Sequence, residues 1–148
     1  MAVHTRQRDY SLNGRMDHVL LDGAIRDAVS ESGIREGYVM VFVAGCVAAL
    51  AVTEDERGIL EHDLAHFFDR ALGVPYGPGF SDGTPYRHHE RWHDDNGSSH
   101  LRALLLHHSL SIPVLDGEAL LGPWQNVFLV ECDTGPRTRT LWFQVQGE

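Results

Sequence analysis

The chain has 148 residues, 43% hydrophobic and 22% charged, which suits one globular domain over residues 1–148 rather than a disordered segment. Its formal charge of −9, from 21 acidic against 12 basic residues, sets aside a general nucleic-acid binder, which needs a basic face. No apolar run approaches the roughly 20 residues of a membrane span, and two distant cysteines, Cys46 and Cys132, make no disulfide framework.

Met1 to Tyr10 is polar and lacks the apolar core of a signal peptide, so a cytoplasmic protein is expected. Val3 to Leu12 and Asp17 to Leu20 flank Asn13-Gly14, a dipeptide that tolerates positive φ and predicts a hairpin. Asp22 is placed to cap a helix whose apolar face is Leu21, Ile25, Ala28 and Val29, and Gly33 to end it. Tyr38 to Ala44 reads as a central strand, Gly45-Cys46 as its interruption, and Val47 to Thr53 as the next strand. Asp55 is expected to cap a second helix, with Leu60, Leu64, Phe67, Phe68 and Ala71 as an amphipathic stripe.

Residues 73 to 97 are rich in glycine and proline, then in histidine and acids, with no period. A connection that long inside one domain is where function concentrates. Ser98 or Ser99 is expected to cap a third helix carrying Leu101, Leu104, Leu105 and His108 on one face. Strands over Ser109 to Leu115, Gln125 to Glu131 and Thr138 to Gln146 complete an α+β pattern with a mixed or antiparallel sheet. Trp124, opening the second of these, reads as a buried indole.

Histidine is the outlier of the composition. Of the 10, eight fall between His62 and His108. His62 and His66 have the i, i+4 spacing that can hold a metal on a helix, but Asp63 stands where the metalloprotease pattern needs glutamate. The pair is expected to face solvent.

Several stretches resemble one family in order along nearly the whole chain. They are Ser32 to Gly37, Val39 to Ala44, Ala48-Ala49-Leu50 running to Glu54, Tyr86-Arg87-His88, Trp92 to Gly97 with His100-Leu101, Pro113-Val114, Leu121 to Gln125, and Val145 to Glu148. The sequence is similar to the YjbQ-like proteins, largely uncharacterised and sometimes named secondary thiamine-phosphate synthases. The resemblance implies a single α+β domain, a mixed, largely antiparallel sheet curling toward a barrel with two to three helices, and a homotrimer. It also implies a histidine-bound metal and a low-level ability to join the two heterocyclic halves of thiamine phosphate. Two positions depart from the pattern: Gly45-Cys46-Val47 where many relatives carry His-Thr-Thr or Gly-Ser-Thr, and Ser98 where many carry histidine.

On this resemblance and the local pattern His88 and His100 are the expected metal ligands, with His93 favoured over Cys46 as the third. Imidazoles favour zinc, and pyrophosphate chemistry would favour magnesium. Glu54 is expected to manage a proton at the end of its strand. Asp95 and Asn96 are expected to orient the histidines or bind substrate, and Gln125 to line the pocket. The function expected is a small-molecule enzyme, possible in metal-assisted form, acting on a phosphorylated or pyrophosphorylated heterocycle. The alternative is a trimeric metal- or metabolite-binding protein without turnover.

Overall fold

The computed structural model describes residues 1–148. Its strands are β1 (Ala2–Leu12), β2 (Asp17–Leu20), β3 (Gly37–Val43), β4 (Ala48–Thr53), β5 (Ser109–Leu115), β6 (Glu118–Ala119), β7 (Asn126–Glu131) and β8 (Arg137–Gly147). They form a five-stranded sheet in the order β1-β8-β3-β5-β6 and a three-stranded sheet in the order β2-β7-β4. Every strand pairing is antiparallel.

The predicted hairpin at Asn13-Gly14 is corrected: β1 pairs with β8, and β2 pairs with β7 in the other sheet. The turn itself is present. Gly14, Arg15 and Met16 all take positive φ, and Asp17 accepts hydrogen bonds from the backbone and side-chain amides of Asn13. Three successive left-handed residues swing the chain from one sheet to the next instead of folding it back on itself. Gly14 also lies so close to Gly135 that a Cβ there would sit 2.6 Å from its carbonyl oxygen.

Helix α1 (Asp22–Ser32) buries Ala24, Ile25, Ala28 and Val29 and ends at left-handed Gly33, as its spacing predicts. Asp22 does not cap it. Its carboxylate instead accepts bonds from the Asn126 side chain at 2.7 Å and the Val127 amide at 2.8 Å, tying the helix start to β7. Val39, Val41 and Val43 of β3, Leu141, Phe143 and Val145 of β8, and Val127 and Leu129 of β7 join α1 in one buried cluster. The two sheets curl around that core as a half-barrel.

The other face of β7 and β4 is also covered, which is why β7 reads as an unbroken apolar run. There Ala49, Phe128 and Val130 pack with Leu60, Phe68 and Ala103. Leu60 and Phe68 come from a helical segment in which Leu64–His66 is α-helical and Ile59–Asp63 and Phe67–Ala71 are wider, π-type turns; we label the whole α2. Its start is capped by Glu56, not Asp55: the Glu56 carboxylate accepts from the amides of Gly58 at 2.8 Å and Ile59 at 2.9 Å.

Two more helices follow, α3 (Arg87–Trp92), inside the stretch expected to be irregular, and α4 (Gly97–Leu105). The expected apolar face of α4 is corrected. Leu104 and Leu105 are 73% and 60% exposed, while Ser98, Ser99, Arg102 and Ala103 are buried. Asn96, not a serine, stands at its N-cap. Trp124 is likewise exposed rather than buried. No helix is long and apolar enough to cross a membrane.

Candidate functional site

The long connection between α2 and α4 builds a hollow that holds two histidines beside aromatic side chains. Tyr86 is buried where the chain enters α3, its hydroxyl donating to the Pro75 carbonyl at 2.9 Å, and its ring lies 4.5 Å from that of Phe80. The first residue of α4, Gly97, lies directly against it. A Cβ on Gly97 would sit 2.9 Å from the Tyr86 Cβ and 3.4 Å from the His88 Cβ, so glycine lets the two helix starts meet.

That contact brings His88 of α3 and His100 of α4 together, their ring centroids 4.6 Å apart and tilted by 37°. With Phe80, Tyr86, Arg87 and Leu101 they line a pocket of about 420 Å³. An Asp94 oxygen lies 3.0 Å from His88 Nδ1, off the N–H direction, so it acts on the ring as a nearby charge and not as a hydrogen-bond acceptor. Burial lowers the His100 pKa below the ordinary imidazole value and the His88 charge lowers it further, against the opposing pull of Asp94 and Asp133. Asn96 holds the start of α4, its carbonyl accepting from the Ser99 and His100 amides. Its side-chain oxygen is buried with no partner.

The other expected residues do not join this pair. His93 is exposed at the left-handed end of α3, with φ 55°. Asp95 reaches His89, whose Nδ1 is 3.2 Å from its carboxylate, instead of His88 or His100. Glu54 is exposed just beyond β4. Gln125 lines a separate polar hollow with Asp22, Arg26, Glu118 and Asn126, and its side-chain oxygen accepts from the Gly122 amide at 2.8 Å. Cys46 is exposed in the β3–β4 turn, away from the histidine pair. Nowhere do three or more histidine, cysteine, aspartate or glutamate side chains gather as a metal-ligand group.

Comparison with known proteins identifies the architecture. The profile of the UPF0047 protein YjbQ-like family matches residues 7–148. The chain belongs to the YjbQ-like UPF0047 family. A UPF0047 protein of Archaeoglobus fulgidus is 41% identical over 105 residues, covering 71% of this chain and 74% of its own. One from Methanothermobacter thermautotrophicus is 30% identical over 148 residues, covering 100% of this chain and 95% of its own. The crystal structure of a YbjQ-like protein of unknown function from Sulfolobus solfataricus P2 superposes with a TM-score of 0.80 at 28% identity, covering 99% of this chain and 100% of that one. A hypothetical protein from Aeropyrum pernix K1 gives 0.77 at 30% identity, covering 97% and 99%.

This YjbQ-like chain also encloses an ionic cluster that no single stretch of sequence announces in full. Glu131 and Arg102 are fully buried and Asp133 nearly so. Arg139 meets both oxygens of Glu131, and Arg137 reaches Asp133 at 2.8 Å. Arg102 pairs with Asp69, donates to the Val74 carbonyl at 2.7 Å, and lies over the rings of Tyr76 and Phe68. It thereby anchors the start of the long connection to α4. The alternation Glu131, Asp133, then Arg137, Arg139 was the available signal: acids and bases at period two across a turn put their side chains on one face.

Proposed function

We propose that this protein binds a small phosphorylated heterocycle between α3 and α4 and acts on it as a transferase, in the manner of secondary thiamine-phosphate synthases. The observation that carries the reading is the pairing of His88 with His100 in a pocket walled by Phe80 and Tyr86 and edged by Arg87. Aromatic walls suit a flat heterocycle, and an arginine with two imidazoles suits the charge of a phosphoryl group. Burial, with the neighbouring His88, lowers the His100 pKa and so favours the neutral ring, the form that can take a proton during turnover. The exposure of Glu54 gives that task to the histidines instead.

As for the divalent ion, this chain offers two adjacent imidazoles, one donor short of the three protein ligands of a catalytic zinc. The single-chain donor set therefore does not fit a complete metal centre. A homotrimer could supply the missing donor from a second subunit. That shortfall favours, as a second reading, a metabolite-binding protein without turnover.

Complementation of a strain that requires thiamine phosphate tests the enzyme reading. Wild-type protein restores growth, whereas His88→Ala and His100→Ala do not. Equal growth with His100→Ala would sink it. A thermal-shift response to pyrimidine pyrophosphate without complementation would support the binding reading.

A further inference from the structure

A second pair of histidines stands apart from this pocket, on the solvent side of α2. His62 and His66 are four residues apart on a helical segment, and their rings are near-parallel, inclined by 8°, with centroids 5.8 Å apart. The His62 side chain is 75% exposed, so an ion can reach it from solution. Asp63 lies 2.8 Å from His62 Nδ1 and is hydrogen-bonded to it. A carboxylate on one ring nitrogen holds the proton there, orients the ring and leaves Nε2 as the electron-pair donor, the arrangement that supports metal-bound imidazole.

We propose that His62 and His66 form a two-point chelate for a divalent transition metal, with Asp63 positioning His62. The spacing fits. A metal–nitrogen distance of roughly 2.0–2.1 Å puts each ring centroid about 3.2 Å from the ion, and a tetrahedral angle then separates the centroids by about 5.2 Å. In the structure the rings stack, so their in-plane lone pairs do not yet converge. Turning the exposed His66 ring about its side-chain torsions, with His62 held by Asp63, aims both Nε2 atoms at one ion and brings the 5.8 Å separation to that value. Two imidazoles with water completing the shell place the site's preference at copper(II), then nickel and zinc, following the general order for nitrogen donors. The right angle of a tetragonal copper(II) shell draws the centroids to about 4.5 Å, a closer approach than tetrahedral zinc asks of these exposed rings. This pair lies on a different helix from the His88–His100 pocket and does not depend on the function proposed for it.

Adding copper(II), below one equivalent, to the full-length protein while recording amide NMR signals tests the chelate, because the paramagnetic ion broadens its neighbours. Signals from residues 58 to 70 should fade first, and that fading should vanish in the His62→Ala/His66→Ala variant. Calorimetric titration with nickel should show at least a tenfold weaker affinity in His66→Ala and a smaller loss in Asp63→Asn. His88→Ala/His100→Ala should keep the wild-type response in residues 58 to 70. All three histidine variants should keep the wild-type circular dichroism. Signals in residues 58 to 70 that survive copper(II), or that fade equally in the His62→Ala/His66→Ala variant, would overturn the proposal, as would unchanged nickel affinity in His66→Ala.

Discussion

Arg139 grips Glu131 by two nitrogens at once, Nε at 2.5 Å from one carboxylate oxygen and Nη2 at 2.8 Å from the other. Glu131 is fully buried at the end of β7, so its charge depends on this fork and on the Asp133 amide that also donates to it. Removing one partner leaves the other charge buried and unpaired, which costs about 3–5 kcal/mol, whereas replacing both by apolar groups of similar volume is often near neutral. Arg139→Met should therefore lower the free energy of urea unfolding by about that amount. Adding Glu131→Leu to it should restore most of the loss. A single variant as stable as wild type would mean that the fork contributes nothing in solution.

The two cysteines should separate cleanly by reactivity. Cys132 is buried against Phe128 and Val130, and burial, reinforced by the Glu131 charge, pushes its thiol up to about 12. Only the thiolate is a good nucleophile, so Cys132 is inert in the native state on two counts. Cys46 is exposed. A chromogenic disulfide reagent should titrate one thiol promptly in native protein and the second only on unfolding, with Cys46→Ser abolishing the prompt phase. Prompt reaction of both would contradict the packing of the second core.

How much of this was legible beforehand follows from which interactions are local. The face of α1, its glycine stop, and the late strands were readable because side-chain period alone decides them. The parting of β1 from β2 was not, because Asn13-Gly14 signals a turn and says nothing about which strand waits on either side. The start and inner face of α4 were misread for a related reason. Leu104 and Leu105 outrank Ser98 and Arg102 in hydrophobicity, yet Arg102 is held inside by Asp69 and the Phe68 ring of α2 and by Val74 and the Tyr76 ring of the connection that follows it. Those are tertiary partners, invisible to a helical wheel. Resemblance and the local histidine pattern both point to His88 and His100, which are adjacent, while Glu54, expected on resemblance, and Gln125 lie outside the pocket that holds them.

The lowered pKa of His100 has a readable consequence for acid stability. Its folded value lies below the model-compound value of 6.5, so in mildly acidic solution the unfolded chain binds a proton that the native state refuses. Stability then rises with pH in that window; it is lost as pH falls from about 6.5 toward the folded value, and levels off below it. Between about pH 8 and about pH 5, wild type should lose more unfolding free energy than His100→Gln. By NMR the His100 ring should titrate below a histidine in an unstructured peptide. A midpoint at or above the peptide value would mean that neither burial nor the neighbouring His88 acts on it as described.

Gly97 offers the most direct test of the pocket's construction. It is buried, and an added methyl would meet the Tyr86 Cβ at 2.9 Å, closer than real Cβ atoms approach, and Cγ at a tight 3.2 Å. Those atoms are the root of a buried ring whose hydroxyl is fixed on Pro75, so they cannot simply swing aside. Forcing an extra methyl into such a contact costs roughly 1–3 kcal/mol. Gly97→Ala should therefore reduce stability by that amount and push the start of α4 away from α3, parting His100 from His88. Combining it with Tyr86→Gly would not give additive losses, since the second change removes both atoms, Cβ and Cγ, that the first one strikes. Equal stability of Gly97→Ala and wild type, with unshifted His88 and His100 resonances, would show that the two helices do not meet as closely as the placement of Gly97 demands.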